Sequence, residues 1–111
     1  MKIQINQEGT TTVVHVIGEV NTPDVEPLRQ ALEEAVQASS GSLIVDASQL
    51  EYINSAAVGI IASIQRTLKA TERGALVIRH PQATIARLLR VTRLDTVVTV
   101  IEKKDGGEKK A

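Results

Sequence analysis

A chain of 111 residues with 42% hydrophobic side chains is long enough for one packed core and too short for two. Its 13 Lys plus Arg balance 13 Asp plus Glu, so no net field draws it toward nucleic acid or an anionic membrane. The absence of cysteine excludes disulfides and thiol chemistry and fits a reducing compartment.

The opening "MKIQINQEG" lacks the apolar stretch of a secretory leader, and no apolar run approaches the roughly 20 residues of a membrane span. A cytoplasmic protein without membrane insertion is expected. "KIQINQ" alternates Ile3 and Ile5 with polar neighbours, and "TTVVHVIG" follows "EGT", which predicts an antiparallel hairpin over residues 2–18. "TPDVEPLRQALEEAVQAS" sets Val25, Leu28, Leu32, Ala35 and Val36 at helical spacing. Proline is tolerated only in a helix's first turn, so Pro27 places the cap near Asp24.

"LIVDA" is apolar enough for a central strand buried on both faces. "SQLEYI" reads as a loop leading to a second helix from about Ser55 to Arg73, with Val58, Ile61, Ile64 and Leu68 on one face and Gly74 as its terminator. "ALVIR" reads as a strand, "PQATIARLLRVTR" as a third helix and "TVVTVI" as the last strand. Residues 1–102 form the expected domain, and 103–111, "KKDGGEKKA", a flexible charged tail. This order specifies an α/β fold: a mixed sheet of about five strands, an N-terminal antiparallel hairpin, and three right-handed crossover helices mainly on one face.

One hydroxyl stands out. In "YINSAAVGII", Asn54 suits an N-cap, which makes Ser55 the first helical residue, beside unsatisfied amides and the positive end of the helix dipole. Ser55 is then either a helper of the cap or a site predisposed to an anion. Arg87, Arg90 and Arg93 recur at every third residue, but a neutral chain with no aromatic platform for bases makes them a solvated helix face. With His15 and His80 as the two histidines and no cysteine, a metal cluster is not expected. "NSAAVG" lacks the glycine pattern of a nucleophile elbow and no phosphate-cradling glycine loop appears, so neither an enzyme nor a catalytic residue is expected. Asp46, closing its strand, reads as a turn residue.

"IVDASQLEYINSAAVGII" is similar to the signature of the STAS domains, the anti-sigma factor antagonists in particular, where a strand ending in aspartate leads to Asp-Ser-Ser-Gly-Leu-Gly or a close variant. "VIGEVNTPDVEPLRQAL" resembles that family's Gly-Glu-Leu-Asp turn and first helix, and the element order matches over residues 2–102. The resemblance implies the STAS fold, no cofactor, and Ser55 in the position of the serine that a partner kinase phosphorylates. It implies that the unphosphorylated protein binds an anti-sigma factor with serine kinase activity, and that a metal-dependent serine phosphatase resets the cycle. The implied docking residues are Asn21, Thr22, Asp24, Asn54, Ser55, Ala56, Ala57 and Val58. Three of these depart from the pattern: Asn21 and Asn54 stand where the family has aspartate, and Ala57 stands where it has glycine. The alternative is a constitutive STAS binding subunit of a transport or signalling assembly, with no phosphorylation cycle.

Overall fold

The amino-terminal alternation becomes β1 (Lys2–Glu8) and β2 (Thr11–Val20) in a computed structural model that describes residues 1–39, 41–72 and 74–102. The strands pair antiparallel in unbroken register from Lys2 opposite Ile17 to Glu8 opposite Thr11. A 3-10 turn (Thr22–Asp24) then leads into α1 (Val25–Ala38), followed by β3 (Leu43–Asp46) and β4 (Leu50–Ile53). The remainder is α2 (Ser55–Ala70), β5 (Leu76–Arg79), α3 (Ala83–Val91), a second 3-10 turn (Leu94–Thr96) and β6 (Thr99–Ile101). The strands form one sheet in the order β1-β2-β3-β5-β6, with β4 pairing with β2 off that path.

Register explains the core. Val14 lies opposite Val45, Val45 opposite Ile78, and Ile78 opposite Val100, so one row of aliphatic side chains crosses four strands on a single face. The row packs in one cluster with Leu28 and Leu32 of α1, Ile61, Ile64 and Leu68 of α2, and Ile85 and Leu89 of α3. The crossovers advance in one direction across the sheet, and right-handed connections then put all three helices on that face. Leu32 and Leu68 are 0% exposed, and burial of each stabilises the fold by about 1.5–3 kcal/mol. The alternate row, Gln4, His15, Asp46 and Arg79, belongs to the helix-free face.

Four sequence expectations are corrected. "SQLEYI" is not wholly a loop, because β3 covers β2 only from Thr12 to His15, and Leu50–Ile53 returns to pair with β2 from Gly18 to Val20. The alternation that marks a strand is broken there by a register shift: Leu50 faces Gly18 and Tyr52 faces Glu19, leaving Glu51 as the extra residue. α2 stops at Ala70, and the left-handed residue after it is Glu72, with φ 55°. Gly74, with φ 113°, lies beyond the helix end in the stretch before β5, where a Cβ would lie 3.1 Å from Ser42 Oγ. The third helix spans 83–91 rather than the whole of "PQATIARLLRVTR", since Arg93 adopts φ 61° and opens the second 3-10 turn. That turn consumes Thr96 and shortens the last strand to Thr99–Ile101. The expected tail, 103–111, lies outside the described residues. Among the described residues no helix is long and apolar enough to cross a membrane.

Candidate functional site

Val20 ends β2 and Ile53 ends β4, and these two residues are partners in the parallel pairing of the strands. The chain therefore leaves both strands at the same end of the sheet. The Asn54 amide donates to the Val20 carbonyl at 3.2 Å, which ties the start of α2 to the Asn21–Asp24 turn. Residues more than 30 positions apart in sequence are brought together by nothing more than this pairing.

At the start of α2, Asn54 is extended, with ψ 174°, and its Oδ1 accepts from the Ala57 amide at 2.9 Å. The Val58 amide makes the first intrahelical bond, to the Asn54 carbonyl at 3.2 Å. The amides of Ser55 and Ala56 precede that bond and face the positive end of the helix dipole outward. Ser55 and Ala56 are exposed, Val58 is half-buried against the core, and Ala57 is 0% exposed. Ala57 thus offers no side chain to a partner. Its methyl fills the core beneath the first turn, and its amide holds the cap.

The neighbouring turn is built differently. Asp24 reaches back so that its Oδ2 accepts from the Asn21 amide at 2.9 Å, while the Asp24 amide donates to the Asn21 carbonyl at 2.8 Å. The Asn21 side chain donates to Glu19 Oε1 at 3.4 Å. The amino terminus of Met1 lies 3.9 Å from Asp24 Oδ1. Asn21 and Thr22 are exposed and Asp24 is half-buried. The surface extends to two residues that sequence reasoning did not single out, Glu19 and its cross-strand neighbour Tyr52, which is 45% exposed. Tyr52 is the only aromatic side chain in the sequence, and an exposed aromatic beside a candidate docking loop was the available signal.

A second polar cluster lies on the helix-free face. Asp46 Oδ1 accepts from the Ser48 hydroxyl at 2.6 Å and its amide at 3.0 Å, and Asp46 Oδ2 accepts from Arg79 Nε at 2.9 Å. Arg79 continues to Glu8, Nη1 to Oε1 at 3.2 Å, spanning from β5 to β1. Burial raises the cost of ionising Asp46, but the Ser48 and Arg79 hydrogen bonds outweigh it and hold the carboxyl below its ordinary value of 3.8. The hydrogen bond to Glu8 outweighs the opposing effect of burial and, together with the pairing to Asp46, raises the Arg79 guanidinium above its ordinary range. Asp46 is therefore the turn residue that its position suggested, with a further role as the anchor for Arg79. Arg87 and Arg90 are exposed on α3, where Arg90 Nη1 approaches Glu102 at 3.9 Å.

Residues 3–101 match the family model described as Mlab, STAS domain. No curated protein matches the chain. Among solved structures, an anti-sigma factor antagonist from Mycobacterium paratuberculosis superposes with a TM-score of 0.77 at 24% identity, covering 92% of this chain and 86% of that one. The anti-sigma factor antagonist SpoIIAA in its unphosphorylated form gives 0.66 at 23% identity, with 80% and 82% covered. The Bacillus cell fate determinant SpoIIAA in its phosphorylated form gives 0.69 at 20% identity, with 93% and 94% covered. At these identities the likeness establishes the fold.

Proposed function

The chain belongs to the STAS domain family through its match over residues 3–101, and from that premise we propose that it is an anti-sigma factor antagonist acting by partner switching at Ser55. The carrying observation is that the Ser55 hydroxyl is exposed while Asn54, not Ser55, caps α2. The hydroxyl is at hand for modification and the fold does not spend it.

In this reading the unphosphorylated surface, from Asn21, Thr22 and Asp24 to Asn54, Ser55, Ala56 and Val58, docks an anti-sigma factor that is also a serine kinase. Ser55 Oγ attacks the terminal phosphorus of ATP, the bond to the bridging oxygen breaks, ADP leaves, and the hydroxyl proton passes to a base. Asn54 and Asn21 are amides and cannot take that proton, and the bordering carboxylates of Asp24 and Glu19 are engaged by Asn21, so in this reading the kinase supplies the base. A metal-dependent serine phosphatase hydrolyses the ester and restores the docking form.

The phosphoryl group adds roughly −1.5 to −2 charges at neutral pH. The free amides of the first turn accommodate it with little backbone change, and SpoIIAA is known in this fold in both forms. The surface changes more than the fold does. Glu19 and Asp24 already border it, and each ~1.4 kcal/mol of mismatch across an interface weakens binding tenfold.

Peptide mass analysis of protein taken from its native cells should find one phosphoryl increment on the segment containing Ser55. A Ser55→Asp bait should lose a partner ATPase that the native protein retains. No increment in growing or stressed cells with phosphatases inhibited, together with equal recovery by both baits, would leave constitutive binding as the function.

A further inference from the structure

The two edges of the sheet are unlike. β6 is three residues long, which is how a sheet edge is kept from pairing with other chains. β1 runs seven residues without a proline or a break in register, and Ile5 at its centre is 47% exposed. Its charges sit at its two ends, Lys2 and Glu8.

We propose that β1 is a homodimer edge, pairing antiparallel with β1 of a second copy about a two-fold axis through Ile5. The occupant follows from the strand itself. A two-residue turn at Gly9 and Thr10, with Gly9 at φ 67°, makes Glu8 and Thr11 a hydrogen-bonded pair. By the alternation of antiparallel ladders, Glu8, Asn6, Gln4 and Lys2 then direct their backbone groups toward β2, and Ile3, Ile5 and Gln7 direct theirs outward. A two-fold at Ile5 brings Ile5 opposite Ile5 and Ile3 opposite Gln7, so every outward-directed residue meets another. A register displaced by one residue meets none.

Side chains agree with the same axis. On the helix-free face Lys2 comes to lie opposite the partner's Glu8, a carboxylate that also takes Arg79 of its own chain at 3.2 Å, and Gln4 opposite the partner's Asn6. On the helix-bearing face the two exposed Ile5 side chains cover one another. The sequence KIQINQE is thus complementary to itself when reversed, as an isologous contact demands. A single strand pair buries an area at the low end for a specific interface, so the dimer is weak and reversible. Its axis runs beside the sheet, and the antiparallel arrangement sends the two Ser55 sites to opposite ends of the assembly.

Sedimentation velocity of the full chain from micromolar to millimolar concentration tests this. The mass should rise from monomer toward dimer, with concentration-dependent exchange protection at the amides of Ile3, Ile5 and Gln7. Ile5→Lys sets two ammonium groups side by side and should weaken association about a hundredfold, while its circular dichroism stays native. Lys2→Glu, which sets like charges opposite the partner's Glu8, should weaken it about threefold at low salt. A monomer at every concentration, a dimer that Ile5→Lys leaves intact, or protection confined to other amides would overturn the proposal.

Discussion

Asn21 and Asn54 begin alike and end differently. Each follows the last residue of a strand, the two strands are partners, and each asparagine precedes a hydroxyl residue, Thr22 or Ser55. At Asn54 the side chain caps and α2 starts at once. At Asn21 the side chain turns back to Glu19, and a 3-10 turn intervenes before α1. The difference is set downstream. Pro23 sits in the 3-10 turn, where a missing amide costs nothing, and Pro27 falls within the first turn of α1. Asp24, three residues on, supplies the carboxylate that the Asn21 amide needs. Residue type proposes a cap, and the next few residues decide whether it is used.

This contrast can be broken by substitution. The largest effect belongs beneath the α2 junction, where Ala57→Leu overfills a fully buried site and should destabilise by about 1–3 kcal/mol in urea unfolding. A different strand end, Asp46, supplies a comparison that acts only through pH. Its carboxyl is lowered in the folded state, so the stability it contributes is present above the ordinary value of 3.8 and lost as pH falls through the folded value. Asp46→Asn removes that component. The native protein should be the more stable of the two at neutral pH, with the gap narrowing in acid titrations followed by thermal unfolding.

Asn54→Ala should cost about 1 kcal/mol by removing the acceptor for the Ala57 amide. Asn21→Ala should cost less than about 0.5 kcal/mol, because Asp24 and the backbone hold that turn without the amide side chain. Equal losses at the two asparagines in matched denaturant series would erase the distinction between the junctions. The smallest stability effect is expected for Ser55→Ala, within about 0.5 kcal/mol of the native protein. The same variant should abolish phosphoryl incorporation in the native cells. A large loss of stability with Ser55→Ala would instead make the hydroxyl part of the cap.

Much of this arrangement is legible in the sequence, and what is not has identifiable causes. The hairpin, the three helical faces and the apolar strands announce themselves through period, because each buries one continuous stripe in the common core. β4 is hidden in the sequence because its bulge at Glu51 breaks the alternation, and because its partner is the far end of β2, a strand whose pattern already accounts for the hairpin. The ends of α2 and α3 depend on Glu72 and Arg93 taking left-handed φ, which neither residue type advertises. At the site, Asn54 and the exposure of Ser55 follow from local rules. The meeting of Asn21 with Asn54 does not, since it rests on β4, and the resemblance to a family carried that step. Ala57 stands in the motif among the docking residues, and only packing shows that it faces inward.

The cap at Asn54 also bears on how such a protein diverges. Since the Asn54 side chain supplies the acceptor that caps α2, substitutions at position 55 are expected to escape the purge that removes destabilised variants. A lineage can exchange a modifiable serine for an inert or permanently charged residue in one mutational step, while the scaffold and the rest of the docking surface persist unchanged. On the proposed reading, regulation at this position is gained and lost faster than the fold that displays it.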